Sequence, residues 1–216
     1  MKNLFTLIFV SLLLVPVQIA LAEQWPASGC DPNTDEVGQK TVTYFNGLLD
    51  KLKDVAAKDP NIKTYRAAMK PAAESIKGLY GATLVDSDFV IRQVYYPSHF
   101  LAKGYDLKKV KELTDFYRIM KENPAPQLSE PGHGSIIQPR LIAMRYPIVK
   151  DGKFKNILSI MVRTEVYLEA TGLDKCKAYR ITCRGKLAEE KGTLSKNSKQ
   201  VKLVLPSTDW LIQYEK

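Results

Sequence analysis

Apolar residues recur at helical spacing over residues 36–79. They are separated mainly by three or four positions, which is the period of an amphipathic helix. Asp59-Pro60-Asn61 interrupts the pattern, and a proline there suits either a kink or the start of a second helix. The spacing therefore predicts one long kinked helix or two stacked helices. The apolar positions are Val37, Phe45, Leu48, Leu52, Val55, Ile62, Tyr65, Met69, Ala72, Ile76 and Leu79.

After this region the pattern changes to short runs rich in β-branched and aromatic residues, separated by turn signals. An amphipathic helix is predicted over 106–121, and a long irregular stretch follows over 122–135. A second short helix is predicted over 165–171, capped by Thr164 and ended by Gly172. Strands are predicted at 82–85, 89–96, 136–149, 154–163, 178–183, 187–192, 201–205 and 210–214.

The predicted strands follow one another through short turns, of which Lys150-Asp151-Gly152-Lys153 is the strongest. Short turns join antiparallel strands, because parallel strands need a long crossover connection. The predicted fold class is therefore α+β, with a long N-terminal helix packed on a central antiparallel sheet.

The first 22 residues have the pattern of an export signal. Lys2 supplies the positive start, an apolar run follows, and Ala20-Leu21-Ala22 matches the small-x-small cleavage pattern. We predict a signal peptide over 1–22, an irregular lead-in over 23–35 and a single domain over 36–216, located in the periplasm or secreted. No later segment is apolar enough to re-enter a membrane.

The first residues allow two alternatives to a cleaved signal. An uncleaved membrane anchor is disfavoured because the apolar run is short for a span and ends in a cleavage pattern. A lipoprotein signal would use Cys30, but Glu23, Gln24 and Pro26 separate that cysteine from the apolar run.

The composition is that of a folded protein, with 45% hydrophobic and 25% charged residues. The precursor has a formal net charge of +9, and the mature chain would carry +8, because Lys2 is the signal's sole charged residue. The lysines are spread along the chain without interleaved aromatic residues, so nucleic acid is not a predicted partner. We favour a solvated lysine-rich surface, although anionic lipid headgroups, polyanions and small carboxylates are alternative partners.

The cysteines limit the disulfides that the chain can form. Cys176 and Cys183 are predicted to lie in one strand, on opposite faces and roughly 23 Å apart, whereas a bridge needs Cα atoms within ~7 Å. Any disulfide would then use Cys30, and the choice between the other two cysteines is open. The chain has no CxxC, haem or zinc spacing, so we predict neither a cofactor nor a metal.

The best candidates for ligand binding are cationic and aromatic. Arginine suits the geometry of a carboxylate, and arginines on central strands beside tyrosines would suit a small organic acid. His133 lies between two glycines in the irregular stretch and could top a pocket. The alternatives are a solvated face for each arginine and an exposed loop for the histidine. The candidate ligand-binding residues are Tyr117, Arg118, His133, Arg140, Arg145, Tyr146 and Arg163.

Motifs of catalysis are missing from the sequence. The serines lack a G-x-S-x-G context, no recognisable acid pair occurs, and there is no glycine-rich phosphate loop. An enzyme of unrecognised type would need a cleft with several titrating residues, and the sequence offers His133 alone. We therefore predict that the protein is not an enzyme.

Three strand-and-turn stretches carry a family resemblance. Residues 142–162 (IAMRYPIVKDGKFKNILSIMV) form a strand, turn and strand followed by a short helix. Residues 178–188 (AYRITCRGKLA) form the next hairpin, with Cys183-Arg184-Gly185 where the family has an acidic turn. Residues 207–212 (STDWLI) match its closing strand. Over about 36–216 the chain resembles the extracytoplasmic Cache (PAS-like) sensor domains of bacterial receptors.

The resemblance implies a non-catalytic domain that binds a small organic ligand, in sensing or in solute capture. The arginine-tryptophan-tyrosine signature that binds amino acids in one large branch of the family is absent from residues 98–127, so the ligand class is open. Receptors of this family normally continue into a second transmembrane helix and an output domain, and this chain ends at Lys216. The expectation is signalling through a membrane receptor partner.

A periplasmic carrier of lipid or another hydrophobic molecule is the alternative function. Such a carrier would also be exported, basic and α+β. The lining of the pocket separates the two hypotheses, because convergent polar groups favour the sensor and a purely apolar tunnel favours the carrier.

Overall fold

The computed structural model describes residues 35–95, 102–132, 139–204 and 208–216. The predicted signal peptide, almost all of the predicted lead-in, Cys30 and His133 therefore lie outside the described residues. Among the described helices, none has both the length and the apolar character that crossing a lipid bilayer requires.

The region 36–79 contains two helices, α1 (Glu36–Ala56) and α2 (Tyr65–Ser75). Asp35 caps α1, because its Oδ1 accepts a hydrogen bond from the backbone N–H of Gly38 at 2.8 Å. Asn61 holds the turn between the helices, with its Oδ1 accepting from the backbone N–H of Lys63 at 2.8 Å. The second of the two predicted arrangements, a pair of helices, is confirmed.

The first sheet has the order β2-β1-β5-β4-β3, and every pairing in it is antiparallel. The β4–β5 hairpin turns at the predicted Asp151-Gly152, where both residues have positive φ angles. Its strands are β1 (Leu79–Asp86), β2 (Ile91–Val94), β3 (Gln127–Leu128), β4 (Leu141–Lys150) and β5 (Lys153–Arg163).

The second sheet has the order β7-β6-β9-β8 and is also antiparallel. The prediction of one central sheet is therefore wrong in this respect, although the α+β class with antiparallel strands is confirmed. The chain leaves the first sheet after β5, where α4 (Thr164–Thr171) separates β5 from β6. The other helix among the strands, α3 (Thr114–Glu122), lies between β2 and β3 of the first sheet. The strands are β6 (Ala178–Cys183), β7 (Lys186–Lys191), β8 (Lys199–Val204) and β9 (Asp209–Glu215).

The helix predicted over 106–121 is shorter than expected. Two 3-10 turns, Leu107–Lys109 and Lys111–Leu113, precede α3. The backbone between them is extended at Val110, a β-branched residue of low helix propensity, with φ −94° and ψ 103°. This break lets the 3-10 segment lie across the first sheet as a separate piece of its cover.

The single strand predicted to contain both Cys176 and Cys183 is also corrected, because β6 begins at Ala178. Cys176 instead follows the 3-10 turn Leu173–Lys175. Both thiols are buried and free within the described part of the chain. Burial raises the pKa of each thiol, so both are protonated at neutral pH.

Buried apolar side chains form two clusters. The main core joins α1, α2, α4 and both sheets, and Phe45, Tyr167 and Trp210 lie at its centre. The smaller α3 cluster lies on the other face of the first sheet and consists of Val85, Phe89, Ile91, Val94, Phe116, Met120 and Ile157. Assignment of 36–216 to a single domain stays a prediction.

Gly78→Ala is expected to destabilise the protein by about 2–4 kcal/mol. Gly78 has a φ of +72°, and an added Cβ would lie 2.5 Å from Cγ2 of Val166, a branched side chain that cannot easily move aside. Gly152→Ala is the matched control, because its φ is +69° but no atom lies within 4 Å of an added Cβ. In urea unfolding, the control should lose only about 1 kcal/mol of stability, which is the cost of placing alanine at a positive φ angle. Equal losses would mean that the Val166 contact is relieved without cost.

Candidate functional site

One row of paired residues crosses all the strands of the first sheet. Val94 on β2 pairs with Thr83 on β1, which pairs with Ser159 on β5. Ser159 pairs with Arg145 on β4, which pairs with Gln127 on β3. Directly paired residues of antiparallel strands point to the same face, so these four polar side chains, which we call the polar row, share one face of the sheet.

The polar row lies on the face that α3 covers. We call α3 and the two 3-10 turns before it the cover. A cavity of about 100 Å³ lies between the sheet and the cover. Phe116 from α3 and Leu107 from the first 3-10 turn close the cavity opposite Thr83, Ser159 and Arg145. The remaining lining is apolar and consists of Val85, Ile91, Ala143, Ile157 and Met161.

A second space of about 150 Å³ adjoins the cavity and shares Phe116 and Arg145 with it. Gln127 lines this space, and its Nε2 donates a hydrogen bond to the backbone oxygen of Phe116 at 3.3 Å. Glu112 and Glu130 also line it, and both are exposed. The inner cavity is therefore mainly apolar with a polar row, whereas the outer space has a mixed polar and apolar lining that includes exposed acidic residues.

Arg145 is the central cation of the site. Within the described residues no carboxylate lies within salt-bridge distance of its guanidinium, and the group makes no hydrogen bond. It lies 4.7 Å from the centre of the Phe116 ring, in a cation–π contact. Desolvation lowers the pKa of Arg145 to about 10, partly opposed by Tyr117, so the guanidinium stays charged at neutral pH.

The two hydroxyls of the row have no side-chain hydrogen bond to any other described residue. Thr83 is a buried residue and Ser159 is half-buried, and both line the cavity. A water or a ligand in the cavity can therefore supply their hydrogen-bond partners. One cation and two hydroxyls with free hydrogen-bonding capacity thus face the same small cavity.

The cover of the cavity is anchored at several points. The hydroxyl of Tyr117 donates a hydrogen bond to the backbone oxygen of Leu107, which ties α3 to the 3-10 turn. Its ring packs 4.7 Å from that of Phe89, and burial raises its pKa to about 12. Arg184, in the β6–β7 turn, forms an ion pair with Asp115 of α3 at 3.0 Å. The cover therefore contacts both sheets.

The structure does not bring the seven predicted site residues together. Arg145 lines the cavity, and Tyr117 lies beside it in α3. Arg118 is exposed on α3 and pairs with Glu122 at 3.3 Å. Arg163 is exposed at the end of β5 and pairs with Glu165 at 3.7 Å.

The two other described candidates also point elsewhere. Arg140 precedes β4 and forms an ion pair with the buried Glu189 of β7. Tyr146 lies on the opposite face of β4 from Arg145 and packs against the main core. His133 lies outside the described residues.

Sequence reasoning missed Thr83, Ser159, Gln127 and Phe116. A signal existed for two of them, because Ser159 interrupts the most apolar strand and Thr83 interrupts Ala82–Val85. A lone polar residue in an otherwise apolar strand is informative, since it needs a partner when buried. Gln127 required the pairing register, which the sequence does not supply.

A larger cleft of about 410 Å³ lies elsewhere, between the start of α1 and the end of α4. Most of its charged groups already have partners, because Glu36 pairs with Lys40 at 2.7 Å and with Lys216 at 2.5 Å, and Glu169 pairs with Lys77 at 2.9 Å. These two lysines lower the pKa of Glu36 to about 2. We therefore place the candidate site at the polar row despite its smaller volume.

The described residues contain no group of three or more His, Cys, Asp or Glu side chains that could hold a metal ion. At the polar row, charge and hydrogen bonding are supplied by Arg145 and the two hydroxyls.

Comparisons of the sequence gave no assignment. No protein-family model matches the chain, and no curated protein matches it.

Solved structures do match. An extracellular ligand-binding receptor from Desulfohalobium retbaense has a TM-score of 0.62 and 12% identity over 84% of this chain, which spans 39% of the receptor chain. The ligand-binding domain of the Pseudomonas fluorescens chemoreceptor CtaA, in complex with L-alanine, has a TM-score of 0.56 and 13% identity, with 82% of this chain and 91% of that one covered. The ligand-binding domain of the Pseudomonas aeruginosa chemoreceptor PctC, in complex with GABA, has a TM-score of 0.56 and 10% identity, with 83% and 93% covered. The chain therefore shares its fold with extracellular ligand-binding domains of receptors.

Proposed function

We propose that the protein is an exported, non-catalytic domain of the Cache (PAS-like) type that binds a small organic ligand for sensing or solute capture. The ligand binds in the cavity between α3 and the first sheet. The observation that carries this proposal is the convergence of three polar groups on one small cavity. These are the Arg145 guanidinium and the Thr83 and Ser159 hydroxyls, and none of them has a side-chain partner among the described residues.

The fold supports this function over the alternative of a lipid carrier. The similar structures are ligand-binding domains, and two of them hold amino-acid ligands, L-alanine in CtaA and GABA in PctC. A lipid carrier needs a long apolar tunnel, whereas this cavity is about 100 Å³ and has a cation in its wall. Burying a lipid chain beside an unpaired guanidinium would be costly.

The export signal predicted over 1–22 supports a location in the periplasm or outside the cell, in agreement with the extracellular receptor to which the fold is similar. We propose that ligand binding is read by a membrane receptor partner. A protein of this kind acts by changing its contacts with the partner when the cavity fills. The cover is the element best placed to transmit that change, because α3 contacts both the 3-10 turn at Leu107 and the β6–β7 turn of the second sheet.

Ala143→Leu is expected to abolish ligand binding with little loss of fold, because Ala143 lines the cavity and a larger side chain would fill it. A panel of small acids, amino acids, amines and sugars is tested by thermal shift on the native protein. A ligand at a hundred times its Kd should raise the Tm by about 5–10 °C. This shift should vanish in the variant.

The control is Ala67→Leu, the same change at an exposed position of α2. It should keep the ligand-induced shift. If Ala143→Leu binds as well as the native protein, the ligand occupies another site, and if no compound of any class binds, the proposed function is wrong.

A further inference from the structure

We infer that the ligand of this site is a small monocarboxylate that carries no amino group. The inference rests on the proposed function and names the ligand class for the same cavity. It follows from the signs and number of the charges that line the cavity, from its volume and from the chemistry of its walls.

Arg145 is the one cationic residue among the described residues that line the inner cavity. Arg145 is half-buried, contacts the Phe116 ring at 4.7 Å and has no anionic partner among the described residues. A planar guanidinium binds a carboxylate through two parallel hydrogen bonds, and the gain is largest where water is excluded. A carboxylate in the cavity would supply the missing counter-charge and would also accept a hydrogen bond from Ser159 on the neighbouring strand.

The inner cavity offers no anionic group to a positively charged ligand, as far as the described part of the chain is concerned. The described residues that line the inner cavity include no carboxylate, and the hydroxyl of Tyr117 is already bonded to Leu107. An ammonium group would therefore lie close to Arg145 without an anionic partner, which costs electrostatic energy at low dielectric. Glu112 and Glu130 line only the outer space, where both are exposed to solvent.

The size of the inner cavity and the chemistry of its walls also limit the ligand. The inner cavity measures about 100 Å³, which at roughly 30 Å³ per water-sized group suits an acid of about two to four carbons. Val85, Ile157 and Met161 offer an aliphatic lining for a short hydrocarbon tail. A second carboxylate would meet this apolar wall, so a dicarboxylate is excluded from the inner cavity by the same reasoning.

The test is isothermal titration calorimetry of the protein with probes that differ in one group. Acetate, propionate and butyrate are compared with the matched amino acids glycine, alanine and γ-aminobutyrate, and with propionamide, which lacks the charge. We expect one of the three acids to bind, and its amino-acid counterpart and propionamide to bind roughly thirty-fold more weakly or worse.

Arg145→Gln should lower the affinity for the acid by a similar factor and leave the affinity for propionamide unchanged. The affinity of Arg145→Lys for the acid should lie between those of the native protein and Arg145→Gln, because lysine keeps the charge but loses the paired hydrogen bonds. Circular dichroism checks that each variant is folded.

The outcomes separate the two proposals. If an amino acid or an amine binds as tightly as the acid, and Ala143→Leu removes that binding, the monocarboxylate inference is overturned and the proposed function stands. If Arg145→Gln retains full affinity for the acid, the inference is also overturned. If neither these probes nor any other class of compound binds, the proposed function itself fails.

Discussion

Arg145→Met is expected to raise the free energy of unfolding by about 1–2 kcal/mol while abolishing ligand binding. The native side chain holds a charge without an ion-pair partner among the described residues, since no described carboxylate lies within salt-bridge distance of it, and burial lowers its pKa to about 10. Methionine has a similar length, fills the space beside Phe116 and carries no charge. A residue kept for binding rather than for the fold should show this opposite effect on stability and on function.

The matched control is Arg140→Met, the same change a few residues away. Arg140 pairs with Glu189, whose side chain is 5% exposed. Removing a partner from a buried ion pair leaves an uncompensated charge, which costs about 3–5 kcal/mol. Because the Arg140 side chain is 42% exposed, water screens the pair, and we expect a smaller loss of about 2 kcal/mol.

Chemical unfolding of the three proteins without ligand measures the change in stability. Calorimetry with the acid that binds the native protein then measures the change in affinity. Arg145→Met should be more stable than native and Arg140→Met less stable, and only Arg145→Met should lose the ligand. A destabilised Arg145→Met would mean that the guanidinium supports the fold, and its role in binding would then need another explanation.

Much of the fold could be predicted from local patterns. The period of apolar residues predicted α1 and α2, the stop signal at Gly172 predicted the end of α4, and the turn at Asp151-Gly152 predicted the β4–β5 hairpin. The division into two sheets could not be predicted, because it depends on which strand edges meet after α4 turns the chain. The 3-10 turns before α3 were also hidden, since their apolar residues keep the spacing of a longer helix.

The site was harder to predict for a definite physical reason. Alternation along a strand shows which of its residues share a face, but it does not show what covers that face. Arg140, Arg145 and Arg163 therefore looked equivalent in the sequence. The pairing register separates them, because only Arg145 aligns with Ser159 and Thr83 beneath α3. The other two lie at strand ends, where acidic neighbours on nearby elements pair with them.

The centre of the main core leads to the largest expected loss of stability. Trp210 on β9 is 0% exposed, and its ring lies 5.5 Å from that of Phe45 on α1 and 5.8 Å from that of Tyr167 on α4. It thereby joins the second sheet to the helices that cover the first. Trp210→Ala should destabilise the protein by about 3–5 kcal/mol, because it removes this contact and leaves a cavity.

Trp210→Phe separates packing from hydrogen bonding. The indole Nε1 is buried and has no hydrogen-bond partner among the described residues, so phenylalanine removes an unsatisfied donor while keeping an aromatic ring in place. We expect a loss of only about 1 kcal/mol in urea unfolding. If phenylalanine costs as much as alanine, the indole must have a partner, and the second sheet would then depend on a polar contact at this point rather than on aromatic packing.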